Sequence, residues 1–517
     1  MIEPDATAPP LAWSRFLADW SAANADEQAA LRERGVLDDP AACAAYVLDT
    51  KPLDGASAEK PAEFAAALRR FRNARMAAIA WCDLMGAATL EQTLAALSSL
   101  ADVCVAAALA HAECVLEGKV GGPQQANGLI VIGMGKLGGR ELNFSSDVDL
   151  VFAFRRAATD DADAQEYYKR VAQRLVAGLS EQTADGFAYR VDTRLRPFGE
   201  SGALVASIEA MENYYQTHGR EWERYAWIKA RPVAGDIEGG RQLIERLRPF
   251  VYRRYLDYGA FESIRDMKGL IEKQVARGEM RDNIKLGCGG IREIEFIAQA
   301  FQLIRGGHEP ALQDNRLLPV LAYLGEAGHL PAAVTAELRD AYEFLRRLEN
   351  RLQMWADRQT HELPADGAQR AALAAAMDHD DWSALTAAVG GWRSRVHAHF
   401  QQVFAAPHAE ESDAGPGHAL GVAWRDGAGE EPGMDALREL GYADPAAAWA
   451  ALTELRSGAL YAGLGHRGRR RLGQLVPLVV AAAATADRPD EVLGRVAGVL
   501  ARIVGRTAYV DLLAQLV

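Results

Sequence analysis

At roughly 100 to 200 residues per domain, a chain of 517 residues has room for about three domains, which excludes a single small binding module. Hydrophobic residues make up 49% and charged residues 25%, enough apolar material for more than one packed core, so wholesale disorder is excluded too. Lys and Arg total 57 against 70 Asp and Glu; the net charge of -13 repels phosphate polymers, and a nucleic-acid role would need a strongly segregated basic face.

From Ala12 to about Gly118 the chain is rich in Ala, Leu, Arg and Glu, with apolar residues at three- and four-residue steps such as Phe64, Leu68 and Phe71. That spacing predicts a helical opening region over residues 1–120. Met1 to Pro10 lack a basic segment followed by an apolar one, and no run of about 18 uncharged apolar residues is expected to span a membrane. Cys43, Cys82, Cys104, Cys114 and Cys288 are odd in number and contain no C-x-x-C pair. They read as reduced thiols of a cytoplasmic protein.

The period then changes. Gly128-Leu-Ile-Val-Ile-Gly133 and Asp147-Val-Asp-Leu-Val-Phe-Ala-Phe154 read as buried strands, separated by a turn and one short helix. A helix follows over about Ala162 to Thr183. Phe187 to Leu195 alternates like a strand until Pro197 and Gly199 stop it, Ala203 to Ala206 is another strand candidate, and a long helix is predicted from Ser207 to Trp227. The expectation is an α+β unit over 121–236, a small sheet with mixed or antiparallel pairing embedded in helices. Residues 237–405 read as a helical bundle, with Phe344, Leu345, Leu348 and Leu352 as one core stripe. The Gly, Pro and acid composition of 406–433 predicts a linker. Residues 434–517 predict three or four helices, with Asp444-Pro445 and Asp487-Arg-Pro-Asp490 as helix starts.

Chemistry concentrates in Gly133-Met-Gly-Lys-Leu-Gly-Gly-Arg-Glu-Leu-Asn-Phe-Ser-Ser-Asp-Val-Asp-Leu150. Asp147 and Asp149, two apart on a predicted strand, leave the same face and come within reach of one cation. Oxygen-only ligands at an open site favour Mg²⁺ or Mn²⁺ and suit two-metal attack at phosphorus. Gly138 and Gly139, with Lys136 and Ser146 nearby, are expected to cradle a phosphate through bare backbone N–H groups. Asp192, in Tyr189-Arg-Val-Asp-Thr-Arg-Leu-Arg-Pro197, is the candidate third carboxylate, and Arg194 and Arg196 on the same predicted strand face would hold phosphoryl oxygens. Lys229 and Arg231 are further phosphate candidates, although each taken singly reads more readily as a surface or capping charge. A dinucleotide fold does not fit Gly133, Gly135 and Gly138, because the paired aspartates come sooner than a ribose ligand would. No Gly-Lys-Ser/Thr follows, which excludes a P-loop.

Those segments, together with Tyr-Tyr-Gln-Thr-His-Gly-Arg-Glu-Trp-Glu-Arg-Tyr-Ala (214–226) and Gly-Gly-Ile-Arg-Glu-Ile-Glu-Phe (289–296), resemble the bacterial glutamine synthetase adenylyltransferase/deadenylylase family. The resemblance covers about residues 10 to 405. It implies a DNA polymerase β-like nucleotidyltransferase core. Asn143-Phe-Ser-Ser-Asp147 and Arg196-Pro-Phe-Gly199 look like the family's adenylyl-removing half, whereas Tyr-Gly/Ala-Ser-Asp and Arg-Pro-Asn-Gly are expected of the adenylylating half. Only one such constellation is present, so the chain is expected to be the front of a longer enzyme. The implied reaction is metal-dependent phosphorolysis: phosphate attacks AMP-tyrosine of glutamine synthetase and ADP leaves, with Asp147, Asp149 and Asp192 as metal ligands and Gly138, Gly139, Arg194 and Arg196 on phosphate. The family's effectors are the PII signalling protein, its uridylylated form and glutamine. Alternatives are adenylylation with ATP and a non-catalytic regulatory module, with a tRNA-directed enzyme more distant. His218, Arg220, Glu221, Trp222 and Glu223 read as a mixed helix face with a substrate-facing role open to them. His466-Arg-Gly-Arg-Arg-Arg471 reads as a solvated helix start.

Overall fold

The computed structural model describes residues 9–53, 60–120, 128–156, 161–253, 269, 282–404, 420, 423–424, 430–458, 461 and 466–503. The chain forms two compact units, Met1–Val403 and Phe404–Val517.

A five-stranded mixed sheet lies in the first unit: β1 (Leu129–Gly133), β2 (Val148–Phe154), β3 (Val191–Asp192), β4 (Val205–Ser207) and β5 (Arg231–Gly235). The path is β3-β2-β1-β5, with β4 also on β2. β1 pairs antiparallel with β2 and with β5, while β3 and β4 run parallel to successive parts of β2. Both faces are covered, which is why the β1 and β2 sequences are almost continuously apolar. Leu129, Val131, Leu150, Phe152 and Phe154 pack into one core with residues of the helices Pro61–Leu84, Leu90–Val120 and Asp161–Ser180. Ile130, Ile132, Val151 and Ala153 enter the opposite core, formed with Ile208–Thr217, Glu221–Trp227 and Ile237–Val251.

Within the first helical region, Leu90–Glu117 is long and apolar enough to cross a membrane by length and composition, with mean hydropathy 1.8, although no such span is expected from the sequence. Here its Leu97, Leu100, Cys104, Val105 and Leu109 belong to the main core. All five cysteines are free.

Three sequence expectations change. The strand predicted over 187–195 contracts to two residues, because Asp192 turns back on Arg194 and the chain enters the Thr193–Gly202 turn. The long helix 207–227 breaks into Ile208–Thr217 and Glu221–Trp227 at Gly219, where a Cβ would stand 2.4 Å from the Phe250 ring. Glu223 recaps the second piece by accepting from Arg220 N at 2.8 Å, and its other oxygen accepts from Tyr214 Oη at 2.9 Å. Arg224 is buried and donates to Phe250 O and Val251 O, so most of this charged segment is used in capping and packing. The third change is an added strand, β5, which is not among the sequence candidates; its Pro232 is tolerated on the sheet edge beside a register shift.

In the second unit, part of the expected linker is core. Leu420, Ala423 and Trp424 pack with Leu437, Trp449, Leu452 and Val480, and Trp424 Nε1 donates to Leu452 O at 3.0 Å. The helix Glu430–Glu439 begins inside the same stretch, and Gly433 is there because a Cβ would lie 2.3 Å from the Trp449 ring. The most acidic part of that stretch, 408–417, lies outside the described residues. Asp444 caps Pro445–Ser457 by accepting from Ala447 N at 3.0 Å, as the sequence suggests. The helix Pro489–Ile503 starts at the second predicted signal, with Asp490 accepting from Ala443 N and Asp444 N. The basic run opens His466–Ala484.

Candidate active site

Three carboxylates meet where β2 and β3 begin to pair. The parallel register sets Asp149 directly against Asp192, and Asp147 stands two residues before Asp149 at the mouth of β2, where Val148 N donates to Arg190 O at 2.9 Å. Above them, β1 ends at Gly133 and the chain turns through Met134, whose N–H donates to Asp149 O at 2.9 Å, into one helical turn, Gly135–Gly138. Gly135 has φ +52°, and a Cβ there would lie 2.6 Å from Asp149 Oδ2. Only glycine fits this conformation and this approach.

Two of the carboxylates are held. Arg190 Nε donates to Asp147 Oδ1 at 2.6 Å while its Nη2 donates to Ser145 O at 2.6 Å, and Gln359 Nε2 donates to Asp147 Oδ2 at 3.1 Å. Arg194 forks onto Asp192, Nε at 2.9 Å and Nη2 at 2.5 Å from Oδ2. Although burial pushes the Asp192 carboxyl up, this fork holds it below the usual carboxylate range. Asp149 differs. The described residues give its side chain no hydrogen-bond donor, and burial, then the charges of Asp192 and Asp147, push its carboxyl up to about 6. An orphaned carboxylate beside two others is costly unless a cation joins them, so the donor set of Asp147, Asp149 and Asp192 fits a hard divalent ion such as Mg²⁺ or Mn²⁺.

Several expected phosphate contacts are absent from this arrangement. The N–H groups of Gly138 and Gly139 donate to Met134 O at 3.0 Å and Gly135 O at 3.1 Å, so they are not bare. Gly138 is a packing residue, since a Cβ would lie 1.8 Å from Lys229 O; at Gly139 one would meet Asn315 O at 2.9 Å. Lys136 points to Asn143 Oδ1 at 2.8 Å and to Glu349 at 2.9 and 3.0 Å. Arg196 staples the turn after β3, donating to Thr193 O and Oγ1 at 2.8 Å, Glu200 O at 3.1 Å and Gly202 O at 3.2 Å. Residue alternation predicts a strand face for it, but β3 ends at Asp192. Lys229 pairs with Glu141, and Arg231 forks onto Asp102. Ser146 is half-buried next to Asp147.

The loop is held from below by the helix Ala332–Met354. Its Glu349 is fully buried, with Lys136 Nζ at 2.9 Å, Arg346 Nε at 3.0 Å and His361 Nδ1 at 2.8 Å. Burial presses the Glu349 carboxyl up, but Lys136, His361 and Arg346 hold it well below the carboxylate range. Arg346 also donates to Asn143 Oδ1 at 2.7 Å, Asn350 Oδ1 accepts from Phe144 N at 3.2 Å, and Gln353 Oε1 accepts from Ser145 N at 2.9 Å. Asn143, Phe144 and Ser145 are thus fixed residue by residue to one helix face. The sequence alone does not single out Arg190, Gln359 or Glu349. Arg190 at least lies within the Tyr189–Pro197 segment that carries Asp192, whereas nothing local marks Gln359 or Glu349.

Residues 7–245 match the family model described as glutamate-ammonia ligase adenylyltransferase, and residues 265–404 match that described as GlnD PII-uridylyltransferase. The chain is 50% identical over 461 residues to the bifunctional glutamine synthetase adenylyltransferase/adenylyl-removing enzyme of Thioalkalivibrio sulfidiphilus, covering 87% of this chain and 48% of the relative. It is 47% identical over 466 residues to that of Nitrosococcus oceani (88% and 48%), and 43% identical over 521 residues to that of Pseudomonas aeruginosa (97% and 52%). The chain spans about half the length of the curated relatives it matches.

Proposed function

The chain belongs to the family of bifunctional glutamine synthetase adenylyltransferase/adenylyl-removing enzymes, and we propose that its site removes AMP from adenylylated glutamine synthetase in the cytoplasm by phosphorolysis. The observation that carries this reading is the convergence of Asp147, Asp149 and Asp192 through the pairing of β2 with β3, next to a glycine turn that leaves Asp149 room. Asp147, Asp149 and Asp192 would hold Mg²⁺ or Mn²⁺, whose charge, when bound, offsets the negative charge that develops on phosphoryl oxygens. In the reaction an oxygen of inorganic phosphate bonds to the AMP phosphorus and the bond from phosphorus to the tyrosine oxygen breaks. The electron pair leaves with the phenolate, which takes a proton, and ADP is released. With a conjugate-acid pKa of about 10, a phenolate leaves without a strong general acid. Arg190 and Arg194 aim Asp147 and Asp192, and Arg194 keeps Asp192 ionised. A DNA polymerase β-like core is the fold this reading implies, and the small mixed sheet enclosed by helices supports it. The resemblance implies a PII signalling protein as regulator.

The direction rests on the Asn143-Phe-Ser-Ser-Asp147 and Arg196-Pro-Phe-Gly199 segments. Incubating the chain with adenylylated synthetase, phosphate and Mn²⁺ should yield ADP, and Asp149→Asn should abolish it with helix content unchanged. Transfer of label from ATP to unmodified synthetase, without ADP formation in the first assay, would reverse the direction. Undiminished turnover in both Asp147→Asn and Asp149→Asn would overturn the site.

A further inference from the structure

Phosphorolysis brings together an AMP phosphoryl group and an inorganic phosphate, yet most arginines and lysines of the segments around the carboxylates, the exposed Arg140 apart, are already committed. Arg190 is on Asp147, Arg194 on Asp192, Arg196 on the carbonyls of its own turn, Lys136 on Glu349, Lys229 on Glu141 and Arg231 on Asp102. Lys285 is different. It is half-buried, and the described residues offer its ammonium neither a hydrogen-bond acceptor nor an ion-pair partner. Its backbone pairs with the segment that carries Gln359 and His361, residues that reach Asp147 and Glu349, which sets Lys285 beside this site, and its charge acts on Asp149, Glu349 and Lys136.

The backbone that carries Lys285 is fixed. Lys285 N and Leu286 N both donate to Asn283 Oδ1, at 3.0 and 2.8 Å, and Lys285 O accepts from Arg292 N at 3.1 Å. Ile284 N donates to His361 O at 2.9 Å, and Leu363 N donates to Asp282 O at 3.1 Å. The segment thereby clamped, 359–363, is the one whose Gln359 reaches Asp147 and whose His361 stands against Glu349. On the far side Gly289, at φ +68°, packs so closely on Arg393 O that a Cβ would lie 1.9 Å away. A half-buried ammonium held on such a frame without an anion loses hydration and gains no partner. The carboxylates are no lasting partner once a divalent cation occupies them, whereas a phosphoryl group arriving beside that cation is one.

We propose that Lys285 is the phosphate-binding cation of this site, meeting the phosphoryl group that enters as inorganic phosphate and leaves as the β-phosphoryl of ADP. This rests on the phosphorolysis reading and adds the residue that recognises the second phosphate. The test is calorimetry on the full chain with Mn²⁺ alone, with Mn²⁺ and AMP, and with Mn²⁺ and ADP, for the parent, Lys285→Ala and Lys285→Arg, alongside the apparent KM for phosphate. Lys285→Ala should weaken ADP binding at least tenfold and raise the KM for phosphate by a similar factor. AMP affinity should change less than threefold, Mn²⁺ affinity should not fall, and Lys285→Arg should recover most of the ADP binding. ADP affinity within twofold of the parent in Lys285→Ala, or equal losses for AMP and ADP, overturns the proposal. If Lys285→Ala forms ADP from adenylylated synthetase with the parent's KM for phosphate, the proposal fails and the phosphorolysis reading survives. Lys285-dependent ADP binding by a parent that forms no ADP from that substrate supports the cation site and overturns phosphorolysis.

Discussion

Glu349→Gln isolates a fully buried charge in the first unit. The substitution keeps shape while removing one negative charge and turning one acceptor oxygen into a donor, at a carboxylate with 0% side-chain exposure between Lys136 at 2.9 Å and Arg346 at 3.0 Å. Both cations are then left in a site that water barely reaches, Lys136 at 11% and Arg346 at 0% exposure. Removing one member of a buried pair costs about 3–5 kcal/mol, a large part of the roughly 5–15 kcal/mol that holds a domain together. Urea denaturation at pH 7 should show that loss. Adding Lys136→Met removes one stranded charge, so the double variant should recover about 1–3 kcal/mol relative to additivity. The pH dependence follows from sign. Glu349 has a folded pKa below its ordinary 4.5, so its contribution is complete above pH 4.5 and is lost as the pH falls toward the folded value. The gap between parent and Glu349→Gln should therefore narrow as the pH falls below about 4.5. A loss under about 1 kcal/mol at pH 7, or strict additivity with Lys136→Met, would refute the argument that this carboxylate locks the loop.

Asp149 gives the opposite sign. Its carboxyl is raised to about 6, so Mn²⁺ should bind with full affinity above that pH and about tenfold more weakly per unit below it, as calorimetry at pH 5, 6 and 8 would read; a flat profile would contradict the arrangement. The raised pKa also means that the ionised form burdens the metal-free fold. A shift from 3.8 to about 6 corresponds to about 3 kcal/mol, reduced by partial exposure to about 1–2 kcal/mol. Asp149→Asn should raise metal-free stability by that amount at pH 7 and by nothing at pH 3. Gly135→Ala and Gly138→Ala should separate two uses of glycine: the first lowers Mn²⁺ affinity at least tenfold by pushing on Asp149 Oδ2, whereas the second collides with Lys229 O and lowers the thermal midpoint of the whole unit. Arg196→Ala should cost about 1–3 kcal/mol of stability through the turn it staples while leaving ADP affinity within fivefold; a tenfold loss of ADP binding at intact stability would restore the phosphate clamp expected from sequence.

What the chain alone determines is local: the apolar β1 and β2, the Asp147 and Asp149 pair two residues apart, and the Asp444-Pro445 helix start are written in consecutive residues, because side-chain alternation and capping operate over two to four positions. The third carboxylate is also legible, since Asp192 sits on a short alternating segment. Its partnership with Asp149, though, depends on the parallel register of two strands joined through a helix. Tertiary structure decides which charges are spent and which are free. Arg194, Arg196 and Lys136 have the residue types of a phosphate clamp, and nothing in their spacing reveals that Asp192, the carbonyls at 193–202 and Glu349 claim them. Glu349 lies 213 residues from Lys136, and Gln359 lies 212 from Asp147. A charge is neutralised by whatever the fold brings within about 4 Å, and spacing along the chain carries no record of that distance.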